Sequence, residues 1–512
     1  MKQWKDMLLM AVIAGALILP PLSNSGYSPI TMEYLVGVLL AMLIGALLGQ
    51  FVQYRVAGAG ILSVFASLIT AFYFTVPLGT ALYSLIACMI VGATVAATAL
   101  RMPGKISMLV GMVALSQSLT AAALSTTAPV IHGEAEPPSN SPAPIVHLLL
   151  DEHAGIAAIP VTAVSQRRID ALVKSYVDRG FIVFTHAYST RLETTSSISQ
   201  LFNPLEEFTP KMLVRTPSGR SIKLKRAEQL EEVSSTRALD LTFPRYIDIK
   251  PAVAGLPHTR TATYDDALVS QALEGYDLSF LMRLNIAWPL AIDWVYGGAR
   301  APIVRYLMQE TFTGKRLDWK ISVKKRIWPL SSRYMMQVFA RRMKDEMNRG
   351  TYYFGHFIIP HYPYMLSSDC SLKPPGAWTS HRATPARGAK GRIAMRERLY
   401  SEHVSQAECA QKEVMNILDA IQTRPEMSDT VMIVHSDHGA RIPLKDGDAD
   451  WYDRKTLDRD MRAAFMAVRI PGKRGRVIDQ PVRIDKLYRQ LAENDFRKFD
   501  LHRIPPDRSN PY

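Results

Sequence analysis

The sequence predicts a multi-span helical membrane anchor joined to an external α/β domain built on a mainly parallel sheet. Three observations carry this reading. Apolar runs of spanning length crowd the first 124 residues and then cease. Every Lys and Arg among those runs falls on one side of them. Beyond residue 144, short apolar strands alternate with helical periodicity and end in polar residues.

The composition narrows the classes further. The chain has 512 residues, 48% of them hydrophobic, with a formal net charge of +14. A disordered chain, a collagen-like fibre and a small disulfide scaffold are excluded. The charge is modest and scattered, with no basic-aromatic motif, so no nucleic-acid partner is expected. The excess of basic residues beyond the anchor reads either as a solvated surface or as attraction to anionic headgroups and acidic glycans.

Within residues 1–124 the basic and acidic residues are Lys2, Lys5, Asp6, Glu33, Arg55, Arg101 and Lys105. Between them lie five candidate spans, at 7–22, 34–53, 58–77, 79–100 and 106–124. A crossing helix needs about 20 residues. The first run is short and ends at Pro20-Pro21, so a signal-anchor or signal peptide is the competing reading; the four spans after it favour a true first span. The five basic residues precede span one or lie in the loops two–three and four–five. The positive-inside rule makes that side cytoplasmic and places the chain after residue 124 outside. A bacterial inner membrane, with the large domain on its periplasmic side, fits this arrangement. Cys88 lies inside a span and reads as a packing residue.

Residues 125–144 are rich in Pro, Ser and Ala and read as a linker. The external domain then runs from 145 to 512. IVHLLLDEHAG opens it as a β-prone run ending in Asp151-Glu152. VSQRRIDALVKSYVDRG follows with helical periodicity and stops at Gly180; FIVFTHAYS is a second strand. Strand, helix, strand is the signature of a parallel sheet. Residues 205–345 mix basic and polar stretches and resist assignment. Within them, WPLAIDWVYGG at 288–298 suits either a buried segment or an interfacial helix anchored by Trp288, Trp294 and Tyr296. TYYFGHFIIPHYPY is a strand running into His361. Residues 371–394 form a Pro/Gly/Arg-rich loop, a helix spans about 396–422, and TVMIVHSDHGARI ends a further strand in Ser436-Asp437-His438-Gly439.

Parallel sheets place their sites at the carboxyl edge. One strand end supplies Asp151 and Glu152, another Asp437 and His438. Carboxylates plus an imidazole make a ligand set for a divalent ion, Zn²⁺ or Mn²⁺. A lone Asp after a strand serves more often as a helix cap, and only the combination points to chemistry. The hydroxyl-dense stretch YSTRLETTSSISQLFNP follows the second strand. Ser and Thr fill helix caps everywhere; the functional reading is a Thr nucleophile at a helix start, activated by a metal and the helix dipole.

LLLDEH (148–153), TTSSISQLF (194–202), HFIIPHYPY (356–364) and HSDHG (435–439) together resemble the alkaline phosphatase/sulfatase superfamily, in its membrane-anchored branch. That branch includes lipoteichoic acid synthases and phosphoethanolamine and phosphoglycerol transferases. The resemblance covers about 145–470 and implies an alkaline-phosphatase-like α/β domain. It implies Asp151, Thr194, Asp437 and His438 as metal ligands, with Thr194 the nucleophile and Thr195 the next residue to test. Glu152 becomes a ligand or a carboxylate behind the ligands, and His361 binds substrate phosphate; Arg441, near the site by sequence, reads either as a substrate contact or as a structural hydrogen-bonder. His356 and His435 read as ligand-proximal or structural. No C/S-x-P-x-R motif stands at 190–200, which disfavours sulfate-ester hydrolysis. First-ligand Asp151 departs from the Glu usual in phosphoethanolamine transferases.

Cys370 and Cys409 lie in the external domain, where oxidation is permitted, and are expected to pair. The expected activity is transfer of a phospholipid headgroup to a cell-envelope glycan or lipid-linked acceptor through a phospho-threonine. A phosphodiesterase of the same fold and a non-catalytic, membrane-tethered glycan-binding or scaffold protein are the rival readings.

Overall fold

The computed structural model divides the chain into two compact units, Met1–Ala128 with Asp266–Ile327, and Pro129–Asp265 with Trp328–Tyr512. In the first, scattered positions between 7 and 47 and residues 269–278 are described. Residue 327 of the first is described as well; in the second, the structure describes 130–133, 142–203, 213–215, 222–264, 328–374, 377–379, 389–442 and 454–496, apart from 161 and 245. The five expected spans lie outside the described residues, save those scattered positions, as do Cys88 and segment 288–298. Among the described residues no helix is long and apolar enough to cross a membrane.

The second unit is an α/β fold. Its strands are β1 (Val130–His132), β2 (Ile145–Leu150), β3 (Phe181–Tyr188), β4 (Leu213–Arg215), β5 (Ile222–Leu224), β6 (Ala238–Pro244), β7 (Ile247–Asp248) and β8 (Thr259–Tyr264). They continue with β9 (Thr351–Phe357), β10 (Val431–His435), β11 (Met466–Arg469) and β12 (Arg476–Arg483). The helices that matter for the site are α1 (Ala163–Asp178), α2 (Thr194–Phe202), α3 (Glu228–Ser234), α4 (Trp328–Asp345), α5 (Ala389–Gln422), α6 (Arg454–Arg462) and α7 (Ile484–Glu493).

Nine strands form the main sheet in the order β1-β8-β6-β9-β2-β10-β11-β3-β12, and β4, β5 and β7 form a small second sheet. The run β8, β6, β9, β2, β10 is parallel throughout. β11 is antiparallel to both β10 and β3, so β3 points the same way as β2 although two strands separate them. Residues of β2, β9 and β10 are buried on both faces, which is why these segments read as unbroken apolar runs. Alternate residues divide between two helical layers. Ile145, Leu149, Ile182, Phe184, Leu241 and Phe354 join one core with residues of α2, α3 and α7. On β9, Phe357 instead meets Phe339 of α4, with ring centroids 5.8 Å apart.

Local signals explain the element ends. Thr162 caps α1 in a reciprocal capping box with Ser165. Gly180 adopts φ +84 at the turn into β3, a left-handed conformation that costs glycine little.

Three stretches differ from the sequence expectation. β1 lies inside the Pro/Ser-rich linker and pairs with β8. α5 begins at Ala389 rather than near 396, because the residues after the Arg-rich loop are helix formers apart from Gly391. The unassigned region contributes β6, β8 and α4. β6 was obscured by Asp240, a buried acid that pairs with Arg342.

Cys370 and Cys409 form a disulfide with Cα atoms 4.9 Å apart. It closes a loop of sequence separation 39, for which chain entropy alone amounts to about 4 kcal/mol. Replacing Cys370 with Ser should lower unfolding free energy by up to that amount. Urea denaturation with and without reductant checks it, since reductant should shift the wild-type midpoint and leave the variant's unchanged.

Candidate active site

Because β2, β9, β10 and β3 all point one way, their carboxyl ends converge. β2 runs directly into Asp151 and Glu152, β10 into Asp437 and His438, and β9 into the turn carrying His361. The loop after β3 delivers Thr194 as the first residue of α2.

Thr194 Oγ1 lies 3.4 Å from both Asp151 carboxylate oxygens and 3.4 Å from His438 Nε2. These separations are long for hydrogen bonds, which centre near about 2.8 Å for hydroxyl donors. The hydroxyl therefore faces a ring of acceptors without closing tightly on any of them. His438 Nδ1 stands 2.8 Å from the Gly439 carbonyl and must donate there. That leaves Nε2 as a lone pair directed at the site.

The carboxylates have divided duties. Asp437 Oδ1 accepts the backbone N–H groups of Glu152 at 3.1 Å and of His438 at 3.0 Å. Its Oδ2 is 3.1 Å from His438 Nε2 yet has no aligned hydrogen-bond donor. Glu152 Oε1 takes the Arg441 guanidinium and lies 3.5 Å from His361 Nε2, while Oε2 is buried with no partner. Glu152 itself sits at φ 61. This left-handed backbone lets consecutive acids Asp151 and Glu152 both face the site.

Three more side chains complete the surround. His356 Nε2 lies 3.3 Å from Asp151 Oδ2, and Tyr246 donates its hydroxyl to the same oxygen at 3.3 Å. Trp328 stacks on Tyr246 with centroids 5.8 Å apart and meets His361 edge-on at 5.6 Å. Arg441 donates to the Leu192 carbonyl at 3.2 Å, tying the loop before Thr194 to the loop after His438. His435 has other partners: its Nδ1 meets the Ser436 carbonyl at 2.8 Å and its Nε2 meets His147 at 2.7 Å. Thr195 follows Thr194 in the first turn of α2.

Electrostatics follow from this crowding. Burial raises the Asp151 carboxyl well above its ordinary range, and the Asp437 and Glu152 carboxylates push the same way against His361 and Arg441. Burial would also raise Asp437, but His438, His356, the Glu152 N–H and Thr194 outweigh it and leave it low. Burial lowers both imidazoles, that of His356 to about 4.

Among the described residues, Asp151, Glu152 and His438 offer ligand atoms all within 4.8 Å of one another. The buried orphan oxygens of Glu152 and Asp437 and the free lone pair of His438 are an oxygen-and-imidazole donor set that fits a divalent cation. Sequence reasoning reached Asp151, Thr194, Asp437, His438, Glu152, His361 and Arg441, and the structure brings all seven together. It did not reach Tyr246 or Trp328, which come from the unassigned region and carry no motif.

A cation here competes with protons on Asp151 and His438. In the metal-free protein the raised Asp151 pKa contributes stability that is lost as pH rises through it. Zn²⁺ should therefore raise the melting temperature more at pH 8 than at pH 5, by differential scanning fluorimetry; equal shifts at both would contradict this set of ligands.

No family model and no curated protein matches the chain. Solved structures do. The phosphonate monoester hydrolase of Agrobacterium radiobacter is 13% identical, covering 69% of this chain and 73% of that one, with a TM-score of 0.39. A protein of glycosaminoglycan metabolism from Bacteroides thetaiotaomicron is 13% identical over 72% and 74%, with a TM-score of 0.40. The Zn complex of the C-terminal periplasmic domain of EptC from Escherichia coli is 10% identical over 74% and 87%, with a TM-score of 0.38. Identities this low and TM-scores below 0.5 leave the chemistry of the site to its own residues.

Proposed function

We propose that the chain is a metal-dependent phosphotransferase that moves a phospholipid headgroup, phosphoethanolamine or phosphoglycerol, onto a hydroxyl of a cell-envelope glycan or lipid. The observation that carries it is the Thr194 hydroxyl at a helix start, ringed by Asp151 and His438 within 3.4 Å. Asp151, Thr194, Asp437 and His438 would hold the ion, with the free Glu152 oxygen beside them.

When bound, the ion lowers the pKa of a neighbouring hydroxyl and offsets charge on the phosphoryl oxygens. Thr194 then starts and ends each cycle deprotonated, at the positive end of the α2 dipole. Its Oγ1 attacks phosphorus, an O–P bond forms, and the O–P bond to diacylglycerol breaks. His361 Nε2 gives the departing oxygen its proton. In the second half-reaction the acceptor hydroxyl returns a proton to that nitrogen and attacks phosphorus, and Thr194 leaves. Glu152 and Tyr362 hold the His361 ring, at 3.5 Å to Nε2 and 2.6 Å to Nδ1. Arg441 adds positive charge at the same edge. A bilayer donor beside a tethered site on the outer face of a bacterial inner membrane suits this chemistry, since both partners then diffuse in one plane.

The test is intact-protein mass spectrometry of the Zn²⁺-loaded chain with phosphatidylethanolamine and phosphatidylglycerol vesicles. The wild type should gain a headgroup-phosphate mass and release diacylglycerol, and Thr194→Ala should do neither. Undiminished diacylglycerol release by Thr194→Ala would sink the nucleophile. Headgroup phosphate released to water regardless of added glycan would make the protein a phosphodiesterase instead.

A further inference from the structure

The long helix α5 reaches two of the four loops that carry the site, and it does so along one line of buried residues. His403, Gln406 and Cys409 are three apart and share a face. His403 Nε2 accepts the Ala154 N–H at 3.2 Å, just past Asp151 and Glu152. Cys409 is bonded to Cys370. Between them, the Gln406 side chain enters the turn that carries His361.

Its contacts there are dense. Gln406 Oε1 accepts the N–H groups of Met365 at 2.8 Å and Leu366 at 3.0 Å. Its Nε2 lies 2.8 Å from the His361 carbonyl, 3.1 Å from that of Pro360 and 3.3 Å from that of Pro363. Donors on one side and acceptors on the other define which end of the amide is which. The turn's other main-chain ties include the Tyr364 N–H to the Thr379 carbonyl at 2.8 Å. The His361 ring is bound to its own turn, through Nδ1 to the Tyr362 carbonyl at 2.6 Å and by stacking on Tyr362 at 4.2 Å. Where the turn sits, the ring sits.

We propose that Gln406 is a positioning residue for the transfer reaction, setting where His361 Nε2 stands against Glu152 and Thr194. The inference rests on the reading of His361 as the group that moves the proton. Removing the amide leaves buried N–H and C=O groups without partners, and the turn shifts to find new ones. A displacement of about 1 Å at a reacting group lowers its rate by about 100-fold.

The experiment uses the full-length Zn²⁺-loaded chain and the diester bis(4-nitrophenyl) phosphate, comparing Gln406→Met, His361→Ala and the double variant. Gln406→Met should lower kcat by about 100-fold and leave KM and Zn²⁺ affinity within about twofold. It should add nothing in the His361→Ala background. Losses that multiply in the double variant, a fall in Zn²⁺ affinity matching the fall in kcat, or an unchanged kcat would each overturn the proposal. Should Gln406→Met not fold, Gln406→Glu keeps the acceptor oxygen and loses the donors, and the same pattern is expected of it. A wild type that leaves the diester uncleaved defeats the transferase reading alone. A crystal structure of the variant then decides the placement: His361 displaced from Glu152 supports it, and an unmoved ring overturns it.

Discussion

Three carboxylates, Asp151, Glu152 and Asp437, meet at the buried end of a parallel sheet, with Arg441 as the cationic side chain bonded among them. Like charges at such spacing repel strongly where water is excluded, and burial first, then that repulsion, raises the Asp151 pKa. The surrounding structure is arranged around this conflict. Asp437 accepts two backbone N–H groups and is kept low by His438, His356 and the Glu152 N–H, Glu152 is matched with Arg441, and His438 has one nitrogen tied off so that the other is free. What remains is a concentration of unpaired oxygen and nitrogen lone pairs beside a hydroxyl, which a divalent cation would satisfy.

The sheet makes the conflict possible. Parallel order through β9, β2 and β10 brings three strand ends to one edge, and β11, running the other way, still leaves β3 delivering Thr194 to that edge. Fully buried strands give these ends rigid bases, so the loops beyond them need be held only at their tips. Arg441 bonds the Leu192 carbonyl on one side, and α5 reaches the other two loops through His403 and Gln406. Precision at the site therefore depends on helices that never touch the reacting atoms.

How much of this was legible in the sequence depends on period and chemistry. Unbroken apolar runs ending in acids exposed β2 and β10, because strands buried on both faces carry no alternation to confuse with a helix. Asp151, Asp437 and His438 were recoverable since each stands at such an end, and Thr194 through the resemblance carried by its hydroxyl-dense stretch. β6 escaped, as its buried Asp240 looks like a surface residue until Arg342 is placed against it. Tyr246 and Trp328 escaped for a different reason: isolated aromatics are usual core residues, and only the fold sets them beside Asp151 and His361. Between His356 and His435 the sequence offered no choice: both flank Leu149 in register, and only their strand's place in the sheet sets one against Asp151 and the other against His147.

The most direct test of this balance of charge is the metal content of the purified chain, by inductively coupled plasma mass spectrometry without chelators. Unpaired carboxylates around Thr194 predict about one divalent ion per wild-type chain and its loss in Asp437→Ala. A folded wild type that holds no ion after dialysis against Zn²⁺ and Mn²⁺ would contradict it.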